Sequence, residues 1–127
     1  LAEADNTGTP DYAVAKAKIL HEAHFRNFRR AVEKGVKIAA GTDGFSPRLP
    51  EDMYFDELKV MRELGMTELA VLQAATVNAA EALGRADVGS IEPGRRADML
   101  LIAVNPLETV DFGDKIVKVI KDGEVVR

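Results

Sequence analysis

The chain has 127 residues, 46% of them hydrophobic and 30% charged, with a formal net charge of −4, the make-up of a globular protein with one modest core. The mild acidity gives no electrostatic case for nucleic acid, which favours a basic face. Cysteine is absent, which excludes disulfides, thiolate nucleophiles and cysteine-bound zinc, and no apolar run approaches the roughly 18 residues of a membrane helix.

Residues 1–11 are small and polar and close on Gly8-Thr9-Pro10-Asp11, a loop leading to a helix start. The opening Leu1-Ala2-Glu3-Ala4-Asp5-Asn6 has neither a basic and apolar signal pattern nor an initiator Met. An intracellular, cytoplasmic protein is the default expectation, and the missing Met leaves room for a longer one. Between 12 and 34 there is neither Gly nor Pro. Ala15, Ile19, Ala23, Phe28, Ala31 and Val32 recur at mixed three- to five-residue intervals among charges, which predicts one amphipathic helix of about six turns. Gly35 should end it, with Arg29, Arg30 and Lys34 suited to the negative helix end.

Val36-Lys37-Ile38-Ala39-Ala40-Gly41-Thr42-Asp43-Gly44 then reads as a buried strand that delivers one carboxylate to a loop. Gly41 and Gly44 permit close backbone approach on either side of Asp43. In an α/β barrel such a strand end lies on the face where chemistry happens. The competing reading is a plain turn in which Asp43 bonds its own backbone, and on this stretch alone turn chemistry favours it. Gly44-Phe45-Ser46-Pro47-Arg48-Leu49-Pro50 is too rich in Gly and Pro to be regular, and a loop after a strand end is well placed as a pocket wall.

Asp52 is a candidate cap for a helix over 53–64, with Phe55, Leu58, Met61 and Arg62 or Leu64 as its buried edge and Gly65 as its stop. Thr67 is the expected N-cap of the next helix. Its stripe of Leu69, Leu72, Ala75, Thr76, Ala79, Ala80 and Leu83 runs to Gly84. Gly89-Ser90-Ile91-Glu92-Pro93-Gly94 is a turn region. Met99-Leu100-Leu101-Ile102-Ala103-Val104 suits a strand buried on both faces, and Asn105-Pro106 breaks it. Ile116, Val117, Val119 and Ile120 interleave with Lys115, Lys118 and Lys121, the pattern of a half-buried strand with a solvated lysine face. Asp122-Gly123 marks a hairpin into Glu124-Val125-Val126-Arg127.

Two other motifs invite chemistry. His21-Glu22-Ala23-His24 approaches a zinc-protease signature, but the histidines are three apart where that motif needs four. They read as surface or packing residues, with a two-histidine metal site as the lesser alternative. Gly41-Thr42-Asp43-Gly44 lacks the spacing of a phosphate cradle.

Taken together, four stretches resemble the metal-dependent amidohydrolase superfamily, especially its imidazolonepropionase-like and dipeptidase-like members. They are residues 31–43, ending in Ala39-Ala40-Gly41-Thr42-Asp43, and Glu57-Leu58 through Glu63-Leu64-Gly65-Met66-Thr67. Then come Ala74-Ala75-Thr76-Val77-Asn78-Ala79-Ala80-Glu81-Ala82-Leu83-Gly84 and residues 89–100 from Gly89 to Leu100. The resemblance implies an α/β fold: the C-terminal part of a (β/α)8 TIM-like hydrolase barrel, plus strands of a small composite β-sandwich. On that reading 1–84 holds the last barrel helix, strand eight and the closing helices, and 85–127 the sandwich strands.

The resemblance further implies that Asp43 is a metal ligand and the proton shuttle for a hydrolytic water, with a divalent cation, zinc by preference, in the full-length enzyme. Phe45 and Arg48 become weak candidates for substrate contact, against their plain readings as a barrel-mouth plug and a solvated side chain. Asn78 would place a helix against the barrel, and Asp98 would fix the turn into a sandwich strand. The superfamily's His-x-His pair, its mid-barrel Lys or Glu and its further histidine ligands have no match here. The chain alone is therefore expected to be inactive. Its implied partners are a small-molecule substrate and either the remainder of the barrel or another copy of the chain, in a homo-oligomer, with neither nucleic acid nor membrane. The alternative is a non-catalytic α+β association module in which Asp43 is only a turn residue.

Overall fold

The structure, a computed structural model, describes residues 10–43 and 53–127. The chain divides into two compact units, residues 1–36 and 37–127. In the first, α1 spans Asp11–Glu33, close to the predicted helix. No residue of α1 is fully buried, and Ile19, counted in its apolar pattern, is 69% exposed. The helix ends in a Schellman motif: Gly35 N–H donates to Val32 O and Val36 N–H to Ala31 O, with Gly35 at φ +67°. That left-handed turn is the reason for glycine there.

Among the described residues the second unit holds three α-helices, a short 3-10 turn over Gly113–Lys115 and a small sheet. The predicted helix at 53–64 is α2, Met53–Glu63, and its candidate cap Asp52 lies outside the described residues. Leu58, Met61 and Leu64 are buried along one edge, as the apolar spacing requires. Gly65, at φ +109°, closes α2 with the same motif, its N–H on Arg62 O and that of Met66 on Met61 O. Met61 and Met66 are both buried, which supplies the apolar contact that accompanies this cap. Arg62 then donates from Nε to Glu68 Oε1 across the turn.

The single helix expected between Thr67 and Gly84 is two: α3, Glu68–Ala75, and α4, Val77–Ala82. Thr67 caps α3 as predicted, its hydroxyl oxygen accepting from Ala70 N–H at 3.2 Å. The break falls on Thr76, at φ −127° and ψ −91°. Its hydroxyl donates back to Leu72 O at 2.6 Å and its N–H turns to Gln73 O. A β-branched hydroxyl residue that bonds backward in this way tends to bend a helix. Gly89 lies against the bend: a Cβ there would stand 2.9 Å from Ala80 Cβ and 3.1 Å from Thr76 O. Val71 and Ala74 of α3 and Ala80 of α4 complete the helical core.

Arg85 grips Asp87 through two hydrogen bonds of 2.7 Å, while Asp87 O accepts Arg96 N–H. Arg95 donates to Glu92 and to the carbonyls of Ala86 and Val88. Beyond this clasp, β1 (Met99–Ile102), β2 (Ile116–Lys121) and β3 (Glu124–Val125) form an antiparallel sheet in that order. Asp122 and Gly123 both take positive φ, 52° and 85°, which is the type I′ hairpin turn the pair predicts. Asp98 accepts Asp122 N–H at 2.8 Å and a Lys121 ammonium proton, so the turn it fixes is this hairpin.

Burial on both faces does not hold for the 99–104 run: Leu100 and Leu101 are each 50% exposed, and the strand itself stops at Ile102. β1 is an edge strand of a three-stranded sheet, and among the described residues no layer covers both of its faces. A register shift between Leu101 and Ile102 also breaks strict alternation opposite β2, leaving Val117 about half exposed. Lys115, Lys118 and Lys121 are all exposed, but they do not form the single face expected: Lys115 lies in the turn before β2, and Lys118 and Lys121, three apart, fall on opposite faces of the strand. Phe112 and Val110, in the β1–β2 connection, are buried, with Phe112 edge-on to Phe55 of α2. No helix among the described residues is long and apolar enough to cross a membrane.

The Arg85 guanidinium holds the Asp87 carboxyl at about 2, down from an ordinary 3.8. A carboxyl depressed in the folded state stabilises that state above its unfolded value, and the contribution fades as pH falls through the folded one. Thermal melts between the two values should therefore show an acid-dependent loss of stability that Asp87→Asn flattens; an unaltered acid limb in that variant would remove the assignment.

Candidate functional site

The predicted strand at 36–42 is extended but belongs to no sheet among the described residues. Its alternation survives: Ile38, Ala40 and Thr42 are half-buried, while Lys37, Ala39, Gly41 and Asp43 are exposed. The expected full burial is thus replaced by burial of one face, because the segment rests on helices with its other side open. An extended backbone without a ladder still needs partners for its polar groups, and three helices supply them. Asn78 of α4 donates from Nδ2 to Ile38 O at 2.8 Å. Ala40 N–H donates to Ala74 O of α3 at 2.9 Å, and Gly41 N–H to Glu57 Oε1 of α2 at 3.1 Å. Lys37 adds an exposed ion pair with Glu81 at 2.7 Å.

These anchors end two residues before Asp43, which is exposed and takes φ +49°. A non-glycine residue in this left-handed region is uncommon, and Asp tolerates it better than most. The geometry aims a carboxylate outward from a backbone held firmly behind it. Phe45 and Arg48, the weak substrate-contact candidates, lie outside the described residues, as does Gly44. His21 and His24 are exposed on α1, where the His21 ring stacks obliquely on Phe25 with centroids 4.1 Å apart. Among the described residues, no three His, Asp or Glu side chains come together in a group that could hold a metal ion. These residues alone do not fit a catalytic divalent metal, which usually takes three protein ligands.

Asn78 does hold a helix against the Asp43-bearing segment. Glu57 was given no role by the sequence reading, although it falls inside one of the resembling stretches. Its signal is an acidic residue set in the apolar stripe of Tyr54, Leu58, Met61 and Leu64, where the 3.6-residue period puts it at the edge of the buried face. Glu57 Oε2 is buried and has no hydrogen-bond partner among the described residues. Beside it, Tyr54 donates its hydroxyl to Ala75 O, and burial, then the Glu57 charge, push its phenol above the ordinary range.

With that geometry in place, comparison with known proteins identifies the class. The profile of the amidohydrolase family matches residues 1–126, and the chain belongs to that family. It is 37% identical over 113 residues to the imidazolonepropionase of Geobacillus kaustophilus, covering 76% of this chain and 26% of that protein. Among solved structures, it resembles a Xaa-Pro dipeptidase with methionine bound in its active site (TM-score 0.73, 36% identity, 81% of this chain and 25% of that one). It also resembles the A. niger ochratoxinase (TM-score 0.78, 29% identity, 97% and 29%). The chain thus spans about a quarter of the length of the curated relatives it matches. It also resembles a solved amidohydrolase (TM-score 0.82, 33% identity, 98% of this chain and 30% of that one), and with the family match this places the fold in the TIM-barrel type.

Asn78→Ala removes the side-chain amide from Ile38 O and leaves a half-buried carbonyl unpaired. A loss of about 1–2 kcal/mol is expected in chemical denaturation; a variant as stable as the parent would show that the anchor carries no weight.

Proposed function

We propose that the complete protein hydrolyses a carbon–nitrogen bond in a small cyclic amide, amidine-like ring or peptide-like compound, with Asp43 as the carboxylate that moves the proton. Family membership and the names of the relatives support a hydrolase. The observation that carries the role of Asp43 is its position: an exposed carboxylate at the end of a segment whose backbone is gripped by α2, α3 and α4. A carboxylate so fixed can accept a proton from an attacking water and return it to the leaving nitrogen.

In the same proposal Asp43 is one ligand of a divalent metal, zinc by preference, an ion that lowers the pKa of a bound water. The histidine ligands that the family uses are then supplied from outside this chain, which by itself is inactive on this reading. The chain is read as the C-terminal part of a (β/α)8 barrel over 1–84 followed by strands of a composite β-sandwich over 85–127. Phe45 and Arg48 remain its candidate contacts to the substrate. Leu100, Leu101, Val117 and Val125 are exposed apolar side chains of the sheet. Faces of this kind favour cover by further protein: the rest of the barrel, or another copy in a homo-oligomer. Residence in the cytoplasm belongs to this reading too.

The left-handed φ of Asp43 favours a second reading, a non-catalytic α+β module in which the residue serves only the turn. Asp43→Asn, made in the complete open reading frame, separates the two. Loss of the general base should cut turnover by about 10²–10⁴-fold or more with little change in melting temperature, whereas undiminished turnover would leave only the turn.

A further inference from the structure

We propose that the Thr76 side chain turns the end of α3 into a dock for the extended segment, by holding the helix interrupted between Ala75 and Val77. The reading of Asp43 given above is not required. An α-helix leaves its last four carbonyls without partners from its own amides. In α3 these belong to Leu72, Gln73, Ala74 and Ala75. Were the helix continuous from Glu68 to Ala82, they would accept from the amides of residues 76 to 79. Each has a different partner instead.

Thr76 serves two of them itself. Its hydroxyl donates to Leu72 O at 2.6 Å, and its N–H donates to Gln73 O at 3.2 Å, one residue short of the helical partner. Ala74 O and Ala75 O are left for groups from elsewhere in the unit. Ala40 N–H takes the first at 2.9 Å, and the Tyr54 hydroxyl of α2 takes the second at 3.4 Å. Just beyond the break, Asn78 returns a bond of 2.8 Å to Ile38 O. The segment and the interrupted helix thus exchange two bonds, one through a carbonyl that α3 leaves open and one through a side chain that α4 presents.

Neither pattern nor propensity stops α3 at this point. The apolar stripe runs through Thr76, and Thr and Val have similar helix propensities. Thr76 is exposed, so burial of its side chain does not fix the bend either. What the side chain contributes is an oxygen that bonds four residues back and takes the carbonyl its own amide would use. With that donor removed, Leu72 O would recover the Thr76 amide, and Ala74 O the amide of Asn78, at the expense of Ala40.

Amide hydrogen exchange on the complete protein tests this without any substrate. Thr76→Val keeps the branched shape and removes the donor, whereas Thr76→Ser keeps the donor. In Thr76→Val, exchange in a peptide covering 38–43 should rise by roughly 3- to 10-fold, the loss of one ordinary hydrogen bond. Exchange in a peptide covering 77–83 should fall, because the first amides of α4 would gain helical carbonyls they now lack. Thr76→Ser should match the parent in both peptides. The opposite signs separate undocking from general loosening, which would speed both. Faster exchange in both peptides, a change in neither or a change in one alone would overturn the proposal, as would Thr76→Ser behaving like Thr76→Val. Should Thr76→Val fail to fold, Thr76→Ala lacks the hydroxyl, favours helix and carries the same expectation. Turnover of Asp43→Asn bears only on the hydrolytic reading, so the two proposals fail separately.

Discussion

An extended segment with no neighbouring strand among the described residues must bond its amides and carbonyls to something else, and the arrangement of the described part of residues 37–127 follows from how that need is met. Ile38, Ala40 and Gly41 each present one backbone group to a different helix. For all three to be reached at once, α3 must end where Ala74 O is open and α4 must turn so that Asn78 faces the segment. The bend at Thr76 accomplishes both. Gly89 in turn permits the following loop to lie against the bend without a Cβ in the way. The helical core of Leu58, Met61, Val71 and Ala74 supplies the apolar burial that makes this geometry stable. The hydrogen bonds themselves decide where the segment points.

Much of this was legible in the sequence because its signals are local. Gly35, Gly65 and Gly84 stop helices for one shared reason, a left-handed residue that glycine adopts without strain. Thr67 announces a helix start, and Asp122-Gly123 a hairpin, through side-chain and backbone chemistry contained within a few residues. The failures came where the outcome depends on distant partners. Thr76 fits the apolar stripe of a continuous helix, and its periodicity gives no hint that the hydroxyl would bond backward and end α3. The 99–104 run has the composition of a doubly covered strand. How much of it is buried depends on which other layers are present, and composition does not encode that.

The site divides in the same way. Asp43 was legible because glycines flank it at the end of an apolar run. Its left-handed backbone agrees with the turn signal as well as with a functional one. Glu57 was harder to find, since an acidic residue within an amphipathic helix is ordinarily a solvated edge. Only the structure brings it to Gly41, sixteen positions earlier in the chain. Asn78 lay in a stretch whose family resemblance was plain, but its partner, Ile38 O, is forty residues away. Phe45 and Arg48 depended on the loop after Asp43, where composition suggested a pocket wall without specifying its shape.

The long sequence separation of these anchors has a kinetic consequence. Hydrogen bonds that close loops of this length are entropically unfavourable until the elements they join are already formed and packed. The segment 37–43 therefore has to dock late, onto helices that have already collapsed around Leu58 and Val71. A nascent or partly unfolded chain would carry the Asp43 carboxylate on a wandering backbone until the three helices are in place to hold it. The backbone that leads to Asp43 is then among the last parts of this unit to become ordered, and a chain halted one step short would be compact with that segment still undocked.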